Sequence, residues 1–135
     1  MILPNPWDAG TAKLLAPLGF EALATTSLGM SNALGRVDGE GSVSRAEVLE
    51  NCRVIAQATD LPVNADLENG YADDPKEAVT ILRDAAEVCI VGARSRIGAA
   101  SASTNSTTLS SAWRRPPRWR ARCQCRSPSW HEHRI

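Results

Sequence analysis

Leu61-Pro62-Val63-Asn64-Ala65-Asp66-Leu67-Glu68-Asn69-Gly70-Tyr71-Ala72-Asp73-Asp74-Pro75 is the stretch whose reading decides the fold. Residues 61–65 have the length and apolar content of a short buried strand, and acids with a glycine interrupt the run. Asp73-Asp74-Pro75 then supplies a capping carboxylate and a proline for a first helical turn. The helix that follows is expected to turn Ala78, Val79, Leu82 and Ala86 inward. A strand, a polar loop and a capped helix make one βα unit.

The same unit recurs on either side. Downstream, Val88-Cys89-Ile90-Val91 reads as the next strand. Upstream, Ser44 and Glu47 form an S-x-x-E capping box, in which each side chain satisfies a free backbone N–H of the other's turn. That helix continues through Val48, Leu49, Cys52 and Ile55. Ala22-Leu23-Ala24-Thr25 reads as a strand, and a glycine-rich loop is expected over residues 27–41. Met1-Ile2-Leu3, ending at Pro4, suits a first strand. Asp8 then caps a helix with the stripe Thr11, Leu14, Leu15 and Leu18, kinked by Pro17 and stopped at Gly19. Units of about 20–30 residues that alternate in this way imply right-handed crossovers and a parallel sheet. Either a doubly wound sheet or a (β/α)8 barrel satisfies the pattern. Both place their chemistry at the C-terminal ends of strands, which selects residues 4–8, 25–38 and 66–74.

Length and charge set further bounds. At 135 residues one domain is the ceiling. The formal charge of zero hides a split: residues 1–92 hold 6 Lys+Arg against 14 Asp+Glu, and residues 93–135 hold 9 Arg, no Lys and the single acid Glu132. No stretch approaches the roughly 20 apolar residues that cross a bilayer, and a signal-like start is absent, so no membrane role and a cytoplasmic location are expected. Cys52 and Cys89 fall in apolar segments, where a free thiol behaves as a small hydrophobe.

Asp66 and Glu68 stand two apart just past a strand, so an extended backbone turns both carboxylates to one side. Hard oxygen donors so placed suit Mg²⁺, which takes one or two carboxylates and keeps several waters. The run Asp66-Leu67-Glu68-Asn69-Gly70-Tyr71 resembles the D-x-[DE]-x-G-Y metal motif of the isocitrate lyase/phosphoenolpyruvate mutase superfamily, with Ala72 in place of the usual glycine. Leu3-Pro4-Asn5-Pro6-Trp7-Asp8-Ala9 is similar to its first-strand signature. Ala24-Thr25-Thr26-Ser27-Leu28-Gly29, with Leu34-Gly35-Arg36-Val37-Asp38 after it, resembles its substrate loop. The resemblance covers residues 1–92.

That resemblance implies the N-terminal part of a (β/α)8 barrel, about four βα units, in homo-oligomers that make or break a C–C or P–C bond beside a 2-oxo acid. It implies Mg²⁺ in a Lewis-acid role toward a pyruvate enolate. Position by position, Asp66 and Glu68 become Mg²⁺ ligands, mostly through water, and Asp38 a loop acid near the metal. The backbone N–H groups of Thr26, Ser27 and Leu28 become the holders of the substrate carboxylate. Thr26-Ser27 stands where family members commonly have Ser-Gly. Plainer roles are open to some of these residues: Asn5 and Asp8 as helix caps, Asp38 as a turn residue beside Gly39.

Beyond Gly92 the family pattern calls for a G-x-S-I-E-D strand end whose Glu completes the metal site, and the chain reads Gly92-Ala93-Arg94-Ser95-Arg96-Ile97-Gly98. A Ser/Thr run and then an Arg, Pro, Trp and Cys mixture follow, with no hydrophobic period. Codons built from the last base of one residue and the first two of the next permit G-S-I-E-D-R over residues 93–98. The same offset permits Y-E-F-D-H-A-V-E-R-V-A-A-A-A-E-V over residues 104–119 and M-A-R-A-Q-N over residues 130–135, similar to a later T-A-R-A-E-N strand of the family. Residues 93–135 are therefore expected to be a disordered tail in a shifted reading frame.

The tail has two other readings. Arginines neutralise phosphates and indoles stack on bases, so weak nucleic-acid binding is the alternative function, although a shifted frame yields both residue types without selection. Cys123-Gln124-Cys125 and His131-Glu132-His133 lack the spacing of structural zinc sites. A barrel closes with eight strands and about 250 residues, so four units alone are expected to fold poorly and to lack turnover.

Overall fold

The computed structural model describes residues 2–39 and 41–95, so the expectations for the tail beyond Ser95 lie outside the described residues. The elements are α1 (Ala9–Leu15), a short 3-10 turn (Ala16–Leu18), β1 (Leu23–Ala24), α2 (Ser27–Ala33), α3 (Arg45–Gln57), β2 (Val63–Asp66), α4 (Pro75–Glu87) and β3 (Gly92–Arg94). The three strands form a parallel sheet in the order β1-β2-β3. Leu23 stands opposite Val63, and Ala65 opposite Ala93. Each parallel pair is joined through a helix, as the alternation predicts.

Local chemistry starts the helices where the sequence places them. Asp8 and Thr11 close a capping box on α1, Ser44 and Glu47 close one on α3, and Asp74 caps α4 with Pro75 in its first turn. Bonds from the Ser44 backbone and hydroxyl, then from Arg36, draw the Glu47 carboxyl down to about 2. A folded-state value below the ordinary one means that this stabilisation is full above the usual carboxylate range and is lost as pH falls toward 2. Ser44→Ala is expected to cost about 1 kcal/mol in a urea titration at neutral pH.

The core lies between the sheet and the helices. Leu23, Val63, Ala65 and Leu67 from the strands meet Ala12, Val48, Cys52, Ile55, Ile81 and Ala85 from α1, α3 and α4. Cys52 and Cys89 are free and buried, as expected of small hydrophobes. Arg45 fastens α3 to α4 through Asp84, Thr80 and the Glu77 carbonyl. Among the described residues no helix is long and apolar enough to cross a membrane.

Several expectations are corrected. Residues 2–8 form no regular strand: Pro4 and Pro6 have no N–H to give, and the segment meets β1 through the Ala24 N–H on the Pro4 carbonyl (3.0 Å) and the Asn5 amide on the Ala24 carbonyl (3.0 Å). Part of the expected glycine-rich loop is α2, which starts because the Thr26 hydroxyl accepts the Gly29 N–H. In α1 the buried residue is Ala12, while Leu14 and Leu18 are exposed. In α4 the inward set is Ala78, Ile81 and Ala85, with Val79, Leu82 and Ala86 outward. Gly70 lies so close to Ala78 that a Cβ at position 70 would clash with the helix.

The last strand is also displaced, from 88–91 to Gly92–Arg94. The Ile90 N–H reaches the Ala85 carbonyl and the Cys89 N–H the Ala86 carbonyl, which together close a Schellman motif on α4. Cys89 holds the left-handed position at φ 70°, usually taken by glycine. Regular pairing runs to Arg94, two residues past the last residue covered by the motif resemblance.

Candidate active site

The C-terminal end of β2 carries the acids Asp66 and Glu68. Asp66 closes β2, its backbone N–H donates to the Thr25 hydroxyl at the end of β1 (2.9 Å), and its Oδ2 accepts from the Ser27 hydroxyl (3.4 Å). These bonds hold the loops after β1 and β2 together. Extended geometry ends at Leu67, whose side chain is fully buried and whose N–H donates to the Arg94 carbonyl (2.8 Å). Glu68 then adopts φ 41° and gives its N–H to Asp66 Oδ1 (3.4 Å), so a turn, and not a continuing strand, sets its carboxylate. Tyr71 is also left-handed, at φ 54°. Two non-glycine residues so held cost about 1–3 kcal/mol each, and such strain gathers where a loop must present side chains in one geometry.

Beside this loop lies a cavity of about 390 Å³, within the size range of small-molecule sites. Asp38, Glu68 and Tyr71 stand in its wall with Ser31, Asn69 and Arg45. Ser31 donates its hydroxyl to Asp38 Oδ1 (3.3 Å) and so fixes the loop acid from α2. Arg36 reaches both the Ser42 carbonyl (2.9 Å) and Glu47 (2.8 Å), tying the loop that carries Asp38 to the start of α3. Burial, followed by the charges of Glu68, Asp66, Cys52 and Asp38, pushes the Tyr71 phenol well above its ordinary value. The same causes, burial first and Asp66 after it, raise the Cys52 thiol to about 11 against an opposing bond from Thr25.

The sequence-derived residues therefore fall into two groups. Asp38 and Glu68 share the cavity wall, while Asp66, which accepts from the Ser27 hydroxyl, does not line it. Thr26 caps α2, and Ser27 and Leu28 are its first two residues, whose N–H groups have no partner within the helix. Those three do not line the cavity. Sequence reasoning assigned no role to Tyr71, although the motif contains it, nor to Ser31 and Arg36. Their parts depend on contacts between elements, which local pattern does not carry.

The donor set can be tested against Mg²⁺. Among the described residues no group of three or more His, Cys, Asp or Glu is placed to enclose a metal ion. Asp66 at the end of β2 and Glu68 in the turn after it remain as hard oxygen donors, the type suited to an ion that takes one or two carboxylates and keeps its other positions hydrated.

Three parallel strands with helices between them, and Asp66 and Glu68 at the C-terminal end of β2, match the opening of a (β/α)8 barrel. The chain belongs to the phosphoenolpyruvate phosphomutase family, whose description matches residues 1–97. It is 33% identical over 88 residues to 2,3-dimethylmalate lyase of Eubacterium barkeri, a match covering 64% of this chain and 29% of that enzyme. An uncharacterised Mycobacterium tuberculosis protein is 37% identical over 76 residues, 55% of this chain and 28% of its own. A solved protein of Burkholderia cenocepacia J2315, provisionally named a lyase/mutase, superposes with a TM-score of 0.65 at 48% identity, over 69% of this chain and 33% of its own. A provisionally named phosphonomutase of the same organism gives 0.64 at 40%, over 67% and 37%. The chain thus spans about a third of the length of the relatives it matches.

Proposed function

We propose that residues 1–92 belong to a Mg²⁺-dependent lyase or mutase that acts on a C–C or P–C bond beside a 2-oxo acid, and that the chain as it reads here lacks turnover. The observation that carries the first half is the placement of Asp66 and Glu68 at the end of β2, beside a cavity that also presents Asp38 and Tyr71. Family membership and the likeness to lyases and a phosphonomutase support it.

In this reading Asp66 and Glu68 hold the cation mostly through water, with Asp38 as a further acid near it. Bound there, Mg²⁺ would supply Lewis-acid stabilisation of negative charge developing on the 2-oxo group. The N–H groups of Thr26, Ser27 and Leu28 hold the substrate carboxylate. Tyr71 stands in the cavity wall with its phenol protonated at neutral pH, as any tyrosine is, and burial and acidic neighbours raise its pKa further.

The second half rests on the sequence after Gly92. Arg94-Ser95-Arg96 stands where the family pattern puts S-I-E, so the acid that would complete the metal site is an arginine. Purified chain supplied with Mg²⁺ and 2-methylisocitrate, oxaloacetate or phosphonopyruvate is expected to release no pyruvate above a blank. A gene sequence that runs through the codons for Gly92 and Ala93 in a frame shared with close relatives would refute the shift. The concentration of 9 Arg in residues 93–135 supports one other reading, weak nucleic-acid binding by a non-enzymatic protein. That reading requires affinity that falls steeply with salt and vanishes on deleting residues 93–135.

A further inference from the structure

Parallel register decides what stands beside Asp66. Asn64 pairs with Gly92, Ala65 with Ala93, and Asp66 with Arg94. Partners in adjacent strands lie about 4.8 Å apart and share a side of the sheet. Ala65 is fully buried and Ala93 packs against the same core, so the alternate positions, Asp66 and Arg94 among them, belong to the other side. Two further bonds fix the offset: the Leu67 N–H on the Arg94 carbonyl (2.8 Å) and the Ser95 hydroxyl on the Glu68 carbonyl (3.1 Å). The strand end that bears the two acids therefore has a guanidinium-bearing residue as its immediate neighbour.

We propose that the positive charge of Arg94, the cross-strand neighbour of Asp66, holds down the affinity of this strand end for divalent cations. The inference rests on reading Asp66 and Glu68 as the pair that takes such a cation. A guanidinium is charged at every accessible pH and presents five donors, so it neutralises part of the field that draws a hydrated cation. Arg94 is exposed, so the aqueous dielectric governs the repulsion. Between a divalent ion and a unit charge about 6 Å apart in water, that repulsion corresponds to roughly a tenfold loss of affinity. Salt screens it. The restored frame would put serine at this position, which makes Arg94→Ser the informative substitution.

The test is a titration of the full chain with Mn²⁺, following the free ion by electron paramagnetic resonance. Arg94→Ser is expected to bind about tenfold more tightly than the parent at low ionic strength, with the gap narrowing as salt is added. Arg94→Lys keeps the charge and is expected to bind like the parent, and Asp66→Asn added to Arg94→Ser is expected to remove the gain. Unchanged affinity in Arg94→Ser, with Asp66→Asn still weakening binding, overturns the proposal and leaves the metal site standing. A gain in Arg94→Lys equal to that in Arg94→Ser also overturns it, because charge is then not the cause. Binding that ignores both Asp66→Asn and Glu68→Gln, or no binding by any variant, overturns the metal site and the proposal with it.

Discussion

Gly70→Ala is expected to remove about 2–5 kcal/mol of stability, the sum of a left-handed backbone taken by a residue with a Cβ and of overpacking against a helix. Gly70 sits at φ 85°, and a methyl group there would meet the Ala78 carbonyl oxygen at 2.6 Å, its Cβ at 2.7 Å and its Cα at 2.8 Å. Two of these are backbone atoms of α4, so no side-chain rotation relieves the contact. Gly39→Ala is the control, since Gly39 also has positive φ (79°) but nothing within 4 Å of the added methyl. It is expected to cost only the conformational part, about 1–2 kcal/mol. Urea titrations of the two variants should separate clearly. Equal losses would mean that the loop does not pack on α4 as described.

Leu67→Ala is expected to cost about 2–5 kcal/mol and to loosen the acid pair on either side of it. Leu67 is fully buried and is among the largest side chains of the core. It points away from the acids, into the helices, and so anchors the strand end from behind. Without it the Asp66 to Glu68 turn, already held at positive φ, loses the contact that opposes its relaxation. Denaturant midpoint and Mn²⁺ affinity should fall together. A fall in stability with unchanged affinity would show that the turn is set by its own hydrogen bonds alone.

The parts of this fold that local chemistry controls were legible in the sequence. Asp8, the Ser44–Glu47 box and Asp74-Pro75 each start a helix by satisfying backbone N–H groups within three residues. Strand β2 was readable from an apolar run between punctuating residues. What failed depended on tertiary contact. The phase of α4 answers to the core, where Ile81 and Ala85 pack with residues of the sheet and of α3. The start of β3 answers to Cys89 in a left-handed cap, where neither Gly nor Asn marks the end of the helix. Helix α2 has a threonine cap but no apolar stripe, and its short run of small residues reads as loop.

The site shows the same division. A motif identified Asp66 and Glu68, but its extended spacing did not reveal that Glu68 turns back onto Asp66. Asp38 was found from the family's substrate loop, whereas its anchor on Ser31 and the Arg36–Glu47 tie behind it emerge only when α2 and α3 are brought together. Asn64 adds a demand that no pattern announces: its Oδ1 is buried without a hydrogen-bond partner among the described residues. A buried acceptor left so costs about 1–3 kcal/mol unless a donor or a water meets it.

Restoring one base ahead of the Ala93 codon, and translating the gene in that frame, tests most directly whether a catalytic strand end was lost at this point. The restored protein is expected to release a 2-oxo acid in the presence of Mg²⁺, to lose that activity on Glu68→Gln, and to differ in this from the chain as it now reads. Glu68-dependent turnover by the present chain, or a restored protein that folds yet neither binds Mn²⁺ through Asp66 nor turns over any member of the substrate panel, would contradict it.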